Sequence, residues 1–300
     1  MENYQRLIEE ILLYGQDRPA AREGQPGTKE LFVKQLSYNL LDCFPICSLR
    51  PISMKIAVTE LLWMLSGNTN IAQLIRNNVR IWDKNAYEFY LTRGGKKQFK
   101  SWIKDVTANR SSDFLAMGSL GYTYGRQWRN FAGRVDQWDK LITDMAENPY
   151  SRRHIVTLWN PAETGLQYTA LPPCHLSLQF YLADNANGCY LDLAVTQRSA
   201  DLLLGVPYDI VEMALLMHIV AAQLSGRINC EIIPRRLIWT GNCIHIYNNQ
   251  IEAAKELAKR TWRGTPILSP VPDKTLAKYT LDDFMLTGYN PGPKIEIPLN

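Results

Sequence analysis

The sequence predicts a single α+β domain, because its candidate strands and helices are mixed without the regular alternation that builds a parallel α/β sheet. With 300 residues, 46% of them hydrophobic, the chain is long enough for one substantial core. We find neither an internal repeat nor an interdomain linker. We therefore expect one domain over residues 1–300, with a small surface subdomain at about residues 84–118.

Hydrophobic periodicity defines the elements of the amino-terminal half. Apolar residues recur at helical spacing over residues 4–15, which predicts an amphipathic helix. Residues 17–30 are rich in Pro and Gly and predict a loop. Further along we expect a strand over 31–40, a helix over 56–65, a turn and a helix over 66–83 ending near Trp82, a polar surface segment over 84–118 and a helix over 136–147.

The carboxy-terminal half contains most of the predicted strands. A turn signal at 184–188 joins two strands, at 175–183 and 189–196, into a hairpin. Residues 209–225 are nearly all apolar and predict a buried helix. The remaining expectations are strands over 154–159, 232–239 and 244–247, a helix over 249–260 and a Pro-rich tail.

Composition and cysteine spacing exclude several classes of protein. The net charge of +4 is too weak for a nucleic-acid footprint. The six cysteines have neither disulfide-framework nor zinc-site spacing, which predicts free thiols in a reducing compartment and no metal. The amino terminus lacks the apolar region of a signal peptide. The most apolar run, 210–222, contains Glu212 and His218 and is too short to span a bilayer, so we expect a cytoplasmic protein without a membrane partner.

The stretch around Cys174 is the first candidate for chemistry. Pro172 and Pro173 stiffen the approach to this cysteine, and the strand-like pattern after His175 places it where a loop enters a sheet. A thiol beside an imidazole is a plausible nucleophile. A buried structural cysteine is the alternative that these residues alone leave open.

Three further features allow two interpretations each. Glu60 interrupts an apolar helix and is either at its wet edge or deliberately buried. Arg152 and Arg153 precede a strand and are either solvated or form a bidentate anion clamp. The basic residues near 96–100 fit a charged surface better than a nucleic-acid patch.

Seven segments of the sequence, taken together and in order, are typical of a known protein family. They are ELLWMLSGNTNI, IWD, GYTYGRQWR, SRRHIVTLWNP, PPCHLSLQFYL, QRSADLLLGVPYDI and WTGNCIHIYNN. With this order and spacing, the chain resembles the thymidylate synthase family, essentially from residue 4 to residue 299. The resemblance implies a large mixed sheet flanked by helices, a homodimer packed through the sheets, and transfer of one carbon from 5,10-methylenetetrahydrofolate to C5 of a pyrimidine nucleotide.

Matching motifs carry the family's catalytic roles to particular residues. Cys174 would be the nucleophile that attacks C6 of the base and activates C5. Glu60 would organise water and proton transfer, and Tyr124 would assist removal of the C5 proton. The residues implied to contact the folate are Ile81, Trp82, Asn85, Asp201, Gly205 and Tyr208.

The resemblance also implies a set of residues that bind the nucleotide. Four arginines suit a phosphate dianion, because each guanidinium presents a planar fork of donors. Two of them, Arg152 and Arg153, would reach across from the second subunit, and Arg22 lies in a loop that departs from the family pattern. The full set is Arg22, Arg152, Arg153, Gln197, Arg198, Ser199, Asp209, His245 and Tyr247.

The informative departure from the family is Asp209. The thymidylate synthases have asparagine at this place, where it recognises uracil, whereas this chain has Pro207, Tyr208 and Asp209. A carboxylate accepts from the 4-amino group of cytosine, but it would oppose uracil O4 with a second acceptor, at a cost of ~1–3 kcal/mol. The deoxycytidylate hydroxymethylases of certain phages, which belong to this family, carry aspartate here. We therefore expect dCMP rather than dUMP as the substrate.

A second departure, Asn85, bears on the product. The family has a tryptophan there, and a small amide in its place makes the folate pocket wetter. Water addition would then replace hydride transfer, giving 5-hydroxymethyl-dCMP. The polar, shortened carboxy terminus also favours water addition. The alternatives are methylation of dCMP, thymidylate synthesis from dUMP, a nucleotide-binding regulator without turnover and, on the Cys/His pair alone, a hydrolase.

Overall fold

The computed structural model describes residues 2–20, 23–108, 117–185, 188–228 and 230–300. The described helices are α1 Glu2–Tyr14, α2 Met54–Leu65, α3 Ala72–Arg76, α4 Asp83–Thr92, α5 Phe99–Ala108, α6 Tyr124–Arg129, α7 Gln137–Glu147, α8 Gly205–Ile228 and α9 Ile251–Lys259. The strands are β1 Gln16–Arg18, β2 Thr28–Asn39, β3 Ile155–Thr157, β4 His175–Asn185, β5 Gly188–Asp201, β6 Ile232–Tyr247, β7 Gly264–Leu268 and β8 Leu286–Tyr289.

Six of these strands form one mixed sheet in the order β1-β2-β6-β5-β4-β3. The central pair, β5 and β6, is parallel, and every other pair in this sheet is antiparallel. The predicted hairpin is confirmed, since β4 and β5 pair from His175 opposite Gln197 to Asn185 opposite Gly188. The α+β class predicted from the mixture of elements is therefore confirmed.

Helix α8 forms the centre of the core on one face of the sheet. It has 24 residues and is long and apolar enough to cross a bilayer. The prediction that its apolar run is too short to span a bilayer was therefore wrong. Most of the helix is nevertheless buried against α2, β5 and β6, as expected of a core helix in an α+β domain. One acidic side chain, Glu212, is buried within it.

The opposite face of the sheet is open in the single chain. One row of registered residues crosses five strands on this face, running through Ile155, Gln179, Ala194, Ile238 and Ser37. All of these side chains are exposed or half-buried. The row is apolar at two positions and small or neutral at the others, and it carries no charge.

Two predicted elements needed correction. The helix expected to end near Trp82 ends at Arg76, because Asn78 adopts a left-handed conformation with φ of 60°, and Trp82 instead caps the start of α4. The strands expected at 232–239 and 244–247 are one continuous strand. Gly241, between the two predicted strands, serves close packing within β6, since a Cβ there would lie 2.3 Å from the Trp239 ring.

The cysteines also differ from expectation. Cys189 at the start of β5 is joined to Cys230, which lies just before β6, in a disulfide. These residues are 41 positions apart and follow no spacing motif, and the parallel pairing of β5 with β6 brings them together. The prediction that all cysteines are free thiols was therefore wrong for this pair. Cys43, Cys47, Cys174 and Cys243 are not part of a disulfide.

The loop predicted at residues 17–30 contributes to the sheet at both ends, through β1 and the start of β2. The segment predicted as a surface subdomain at 84–118 contains α4 and α5, and residues 109–116 lie outside the described part. Its independence as a subdomain stays a prediction.

Candidate active site

Cys174 lies immediately before β4, at the point where the chain enters the sheet. Its backbone N–H donates to the Tyr124 hydroxyl oxygen over 2.8 Å, and its carbonyl accepts from the Arg198 backbone N–H over 2.8 Å. These two bonds tie the residue to α6 on one side and to β5 on the other. The half-buried thiol is therefore held in place by its own backbone.

The Arg198 guanidinium is fixed beside the thiol by carbonyl groups. Its Nε donates to the Pro173 carbonyl and one Nη to the Pro172 carbonyl, both over 2.9 Å. The same nitrogen lies 4.0 Å from the Cys174 sulfur, and the group stacks 5.2 Å above the Trp159 ring. A guanidinium held at this distance stabilises a negatively charged sulfur.

Tyr124 closes the other side of the thiol. Burial raises the pKa of Tyr124 well above its ordinary value, and interaction with Cys174 adds to that shift. The phenol is therefore neutral at physiological pH. Its ring centroid lies 6.2 Å from that of Trp82 and 5.8 Å from that of His175, so three rings wall this part of the site.

Glu60 lies on α2 and faces α8. The Trp82 indole donates to its carboxylate over 2.7 Å, so the ring and the acid are held together. Burial raises the pKa of Glu60 to about 7, and the nearby Asp209 adds to the rise, while hydrogen bonds from Trp82 and Glu212 oppose it. Glu60 is half-buried, which is intermediate between the two interpretations that the sequence left open.

Glu212 is a site residue that the sequence did not single out. It is 3% exposed and lies close enough to Glu60 for the two carboxyl groups to affect each other's pKa. Burial raises the pKa of Glu212 well above its usual range, and the charges of Glu60 and Asp209 act in the same direction. The available signal was an acidic residue inside the apolar run 210–222, which we read only as an argument against a membrane span.

Asp209, near the start of α8, takes part in a chain of hydrogen bonds that runs out of the core. The buried Trp239 indole N–H donates to Gln197 Oε1 over 2.8 Å. Gln197 Nε2 then donates to Asp209 Oδ2 over 2.9 Å. An indole nitrogen can only donate, so the amide must present its oxygen to Trp239 and its N–H to Asp209.

The second oxygen of Asp209 faces a buried imidazole. His175 Nε2 lies 3.8 Å from Asp209 Oδ1 and has no hydrogen-bond partner within the described residues. Burial lowers the pKa of His175, while burial raises that of Asp209. A neutral imidazole nitrogen and a carboxyl oxygen therefore both point into the site without a full set of partners.

The nucleotide-binding residues predicted on β5 and β6 meet at the same end of the sheet as Cys174. Ser199 is in register with Cys243, and Asp201 with His245. The His245 ring packs edge-on against Tyr247, with 5.1 Å between the centroids. Its Nδ1 lies 3.1 Å from the Cys243 carbonyl, which fixes the orientation of the ring.

The residues predicted to contact folate form a second wall. Asp201 accepts from the backbone N–H groups of Leu203 and Leu204 through Oδ1, at 3.0 and 3.1 Å. Gly205 leaves space beside Asp209, because a Cβ there would lie 3.6 Å from its Oδ2. Tyr208 is half-buried, and its hydroxyl accepts from the Ser53 backbone N–H over 3.4 Å.

A cavity of about 660 Å³ lies next to this wall. Arg50 and Leu204 line one side, and residues 294–298 of the carboxy-terminal tail line another. Gln250 donates to the Pro298 carbonyl over 2.9 Å and anchors the tail.

The start of α4 holds the remaining predicted folate contacts. Trp82 caps the helix and packs against the core, while Ile81 is 38% exposed. Asn85 is half-buried one turn after Trp82. Among the described residues, no group of three His, Cys, Asp or Glu side chains is arranged to hold a metal ion.

Some predicted residues do not join the site in the single chain. Arg152 and Arg153 are exposed and precede β3, where Ile155 pairs with Gln179, well along β4 from Cys174. At the rise per residue of a β-strand, Arg152 and Arg153 then lie roughly 20 Å from Cys174. Arg22 lies outside the described residues.

The similarity to known proteins extends over almost the whole chain. The family model for thymidylate synthase matches residues 2–300. A thymidylate synthase of Mesoplasma florum is 35% identical over 297 residues, which is 98% of this chain and 98% of the relative. A thymidylate synthase of Mycoplasma genitalium is 37% identical over 298 residues, again 98% of each.

Proposed function

The chain belongs to the thymidylate synthase family of transferases, and from this premise we propose that it converts dCMP to 5-hydroxymethyl-dCMP. The carbon would come from 5,10-methylenetetrahydrofolate, which supplies a one-carbon unit at the formaldehyde level when it is bound. The observation that carries the choice of dCMP is the hydrogen-bond chain from Trp239 through Gln197 to Asp209.

The direction of that chain decides what residue 209 offers to the base. Gln197 presents an N–H, so the atom of residue 209 that faces it must be an acceptor. An asparagine would satisfy Gln197 with its oxygen and turn its NH₂ to the substrate, which suits uracil O4. Asp209 satisfies Gln197 with one oxygen and offers the other, which suits the 4-amino group of cytosine.

The surroundings of Cys174 support covalent activation of the base. Its sulfur would attack C6, the C5–C6 double bond would shift its electrons to C5, and the nucleophilic C5 would take up the carbon. The Arg198 guanidinium stabilises the thiolate before attack. The neutral Tyr124 hydroxyl is positioned at the same backbone and can hydrogen-bond a water molecule, which takes the proton that C5 later loses.

Glu60 and Asn85 support water addition as the final step. A carboxyl with a pKa of about 7 can both give and take a proton at physiological pH, so Glu60 can hold and activate a water molecule. The half-buried amide of Asn85 provides a polar partner for that water near the folate wall. Hydride transfer, which yields a methyl group, would need the drier pocket that a tryptophan in place of Asn85 provides.

The full site would require a second copy of the chain. The distance of Arg152 and Arg153 from Cys174 within one chain supports the interpretation that they bind phosphate in the partner's site. The open, uncharged row of side chains on the sheet face supports packing of two sheets against each other. We propose that the enzyme is a cytoplasmic homodimer, in the host cytoplasm if its source is a phage.

Thymidylate synthesis from dUMP is the second candidate. It is favoured by both curated relatives, each of which is named thymidylate synthase and aligns along almost its whole length. Methylation of dCMP is a third candidate. In that case Asp209 still selects cytosine, but Asn85 does not direct water addition.

The deciding experiment is mass spectrometry of nucleotides after incubation with 5,10-methylenetetrahydrofolate and equal amounts of dCMP and dUMP. We expect 5-hydroxymethyl-dCMP. The appearance of methyl-dCMP would contradict water addition only. If dTMP is the product, the interpretation of Asp209 is wrong, and nucleotide binding without any product would identify a regulator.

A further inference from the structure

The short helix α6 carries Tyr124 at its first position, and its own sequence does little to hold it there. The helix has only six residues, and isolated helices of that length are unstable in water. The Thr123 hydroxyl at its start has no hydrogen-bond partner within the described residues, so it does not cap the helix. The position of the Tyr124 hydroxyl beside the Cys174 backbone therefore depends on contacts from outside α6.

One carboxylate supplies two of these contacts. Glu163 Oε2 accepts from the buried Gln127 amide over 2.9 Å, and Glu163 Oε1 accepts from Arg126 Nη2 over 3.3 Å. Both donors lie on α6, within one turn of Tyr124. Only 13% of the Glu163 side chain is exposed, so removal of the carboxylate would leave both donors without an acceptor where little water can replace it.

The same two donors also hold Tyr122, which leads into the helix. Gln127 Nε2 donates to the Tyr122 carbonyl over 3.1 Å. The Arg126 guanidinium lies 4.2 Å from the centre of the Tyr122 ring. Glu163 thus orients two side chains that fix the chain both just before and just after Tyr124.

Glu163 itself comes from the segment beside Arg198. It ends the 3₁₀ helix Pro161–Glu163, and its backbone N–H donates to the Asn160 carbonyl over 2.9 Å. The residue before Asn160 is Trp159, the ring over which the Arg198 guanidinium lies next to the thiol. The carboxylate therefore connects the segment under Arg198 to helix α6.

We propose that Glu163 is a positioning residue for Tyr124: its carboxylate holds α6 against residues 159–163 and so keeps the Tyr124 hydroxyl at Cys174. The role rests on the proposed one-carbon transfer, in which that hydroxyl binds the water that takes the C5 proton. Loss of the carboxylate should slow proton removal and leave nucleotide binding intact, because the residues proposed to contact the base and the sugar lie on β5, β6 and α8.

The main experiment compares kcat and KM for the wild type, E163A, Y124F and the double variant, with whichever of dCMP or dUMP is converted. We expect E163A to lower kcat by roughly 10- to 100-fold and to change KM by less than about 3-fold. In the Y124F background the same substitution should lower kcat by less than about 3-fold, because the hydroxyl that it positions is already absent. An equal loss of kcat in both backgrounds would overturn the proposal.

Two further variants complete this comparison. E163Q keeps one acceptor oxygen for Gln127 but loses the charge that faces Arg126, so we expect a loss in kcat of roughly 3- to 10-fold. D283A is the matched control, since the side chain of Asp283 is 11% exposed and pairs with Lys274, and it should keep kcat within about 2-fold of the wild type. If E163A does not fold, E163Q takes its place in the double-variant comparison, and an unchanged kcat would overturn the proposal.

A second measurement needs no turnover, so it separates failure of this role from failure of the proposed function. Alkylation of Cys174 by iodoacetamide is followed by mass spectrometry of its peptide, which distinguishes it from the other thiols. Because Tyr124 closes one side of this half-buried thiol, we expect E163A to react at least about 3-fold faster there than the wild type or D283A. Formation of dTMP, or of no product, would contradict the proposed function, whereas an unchanged alkylation rate would overturn the role of Glu163.

Discussion

The two walls that face the pyrimidine differ in how they are held and in what charge they carry. Around Cys174, backbone hydrogen bonds and the Arg198 guanidinium place a positive charge beside the nucleophile. Around Asp209, the Glu60 and Glu212 carboxyl groups lie close enough for the charge of Asp209 to raise the pKa of both. In the proposed reaction, activation of the base therefore depends on the sulfur side, whereas the choice of base and the movement of protons depend on the carboxyl side.

Removing the nucleophile should have the largest effect. We expect C174A to lose at least about 10³-fold in turnover with either nucleotide, because the covalent route through C6 is then closed. Binding of dCMP, measured by calorimetry, should stay within a few-fold, since the contacts to the base lie on the other wall. Loss of binding together with turnover would contradict the separation of the two walls.

The carboxyl side should dominate the pH dependence of stability. Glu60 has a raised pKa in the folded state, so its contribution is fully present below its ordinary pKa of 4.5 and is lost as the pH rises through about 7. We expect the free energy of unfolding to fall by up to ~3 kcal/mol across that window. Urea denaturation should show a smaller fall in E60Q than in the wild type, because Asp209 and Glu212, whose pKa values are also raised, remain in the variant.

Exchange of the atom that faces the base should reverse substrate preference. We expect D209N to change the ratio of kcat/KM for dCMP over dUMP by roughly 10- to 100-fold in favour of dUMP, because an acceptor becomes a donor. Competition assays with both nucleotides would measure the ratio. An unchanged ratio in a folded D209N would mean that another residue reads the base.

The smallest effect should come from the buried end of the same chain of hydrogen bonds. W239F removes one of the contacts that orient the Gln197 amide, whose Nε2 also donates to the Ser199 carbonyl over 3.1 Å. The amide is then held less firmly towards Asp209. We expect the dCMP preference to fall by about 2- to 10-fold, the value of one neutral hydrogen bond. W63F is a matched control, since the buried Trp63 indole donates instead to the Asn70 carbonyl.

Local patterns predicted much of the fold, and the exceptions have physical causes. The hairpin of β4 and β5 and the buried helix α8 follow from alternation and apolar runs, which are local signals. The continuity of β6 was not predicted, although Gly241 makes room for the Trp239 ring two residues earlier on the same strand and forms no turn. The Cys189–Cys230 disulfide depends on the parallel pairing of β5 with β6, which the spacing of the cysteines in the sequence does not indicate.

The site was predictable where a motif named the residue and unpredictable where two helices had to meet. Motifs led to Cys174, Glu60 and Asp209, which the structure brings close to Tyr124 or to one another. The raised pKa of Glu212 depends on what α2 brings opposite it, and a single sequence contains no information about that contact. The second-subunit origin of Arg152 and Arg153 likewise stays a prediction.

The fixed direction of the Trp239–Gln197–Asp209 chain has a consequence for how such an enzyme can change its substrate over generations. Codons for aspartate and asparagine differ at one base, and the surrounding amide needs no adjustment for either residue. The path between a cytosine-specific and a uracil-specific enzyme is therefore a single mutational step with no poorly folded intermediate. A lineage with this arrangement could cross in either direction whenever its DNA chemistry came under new selection.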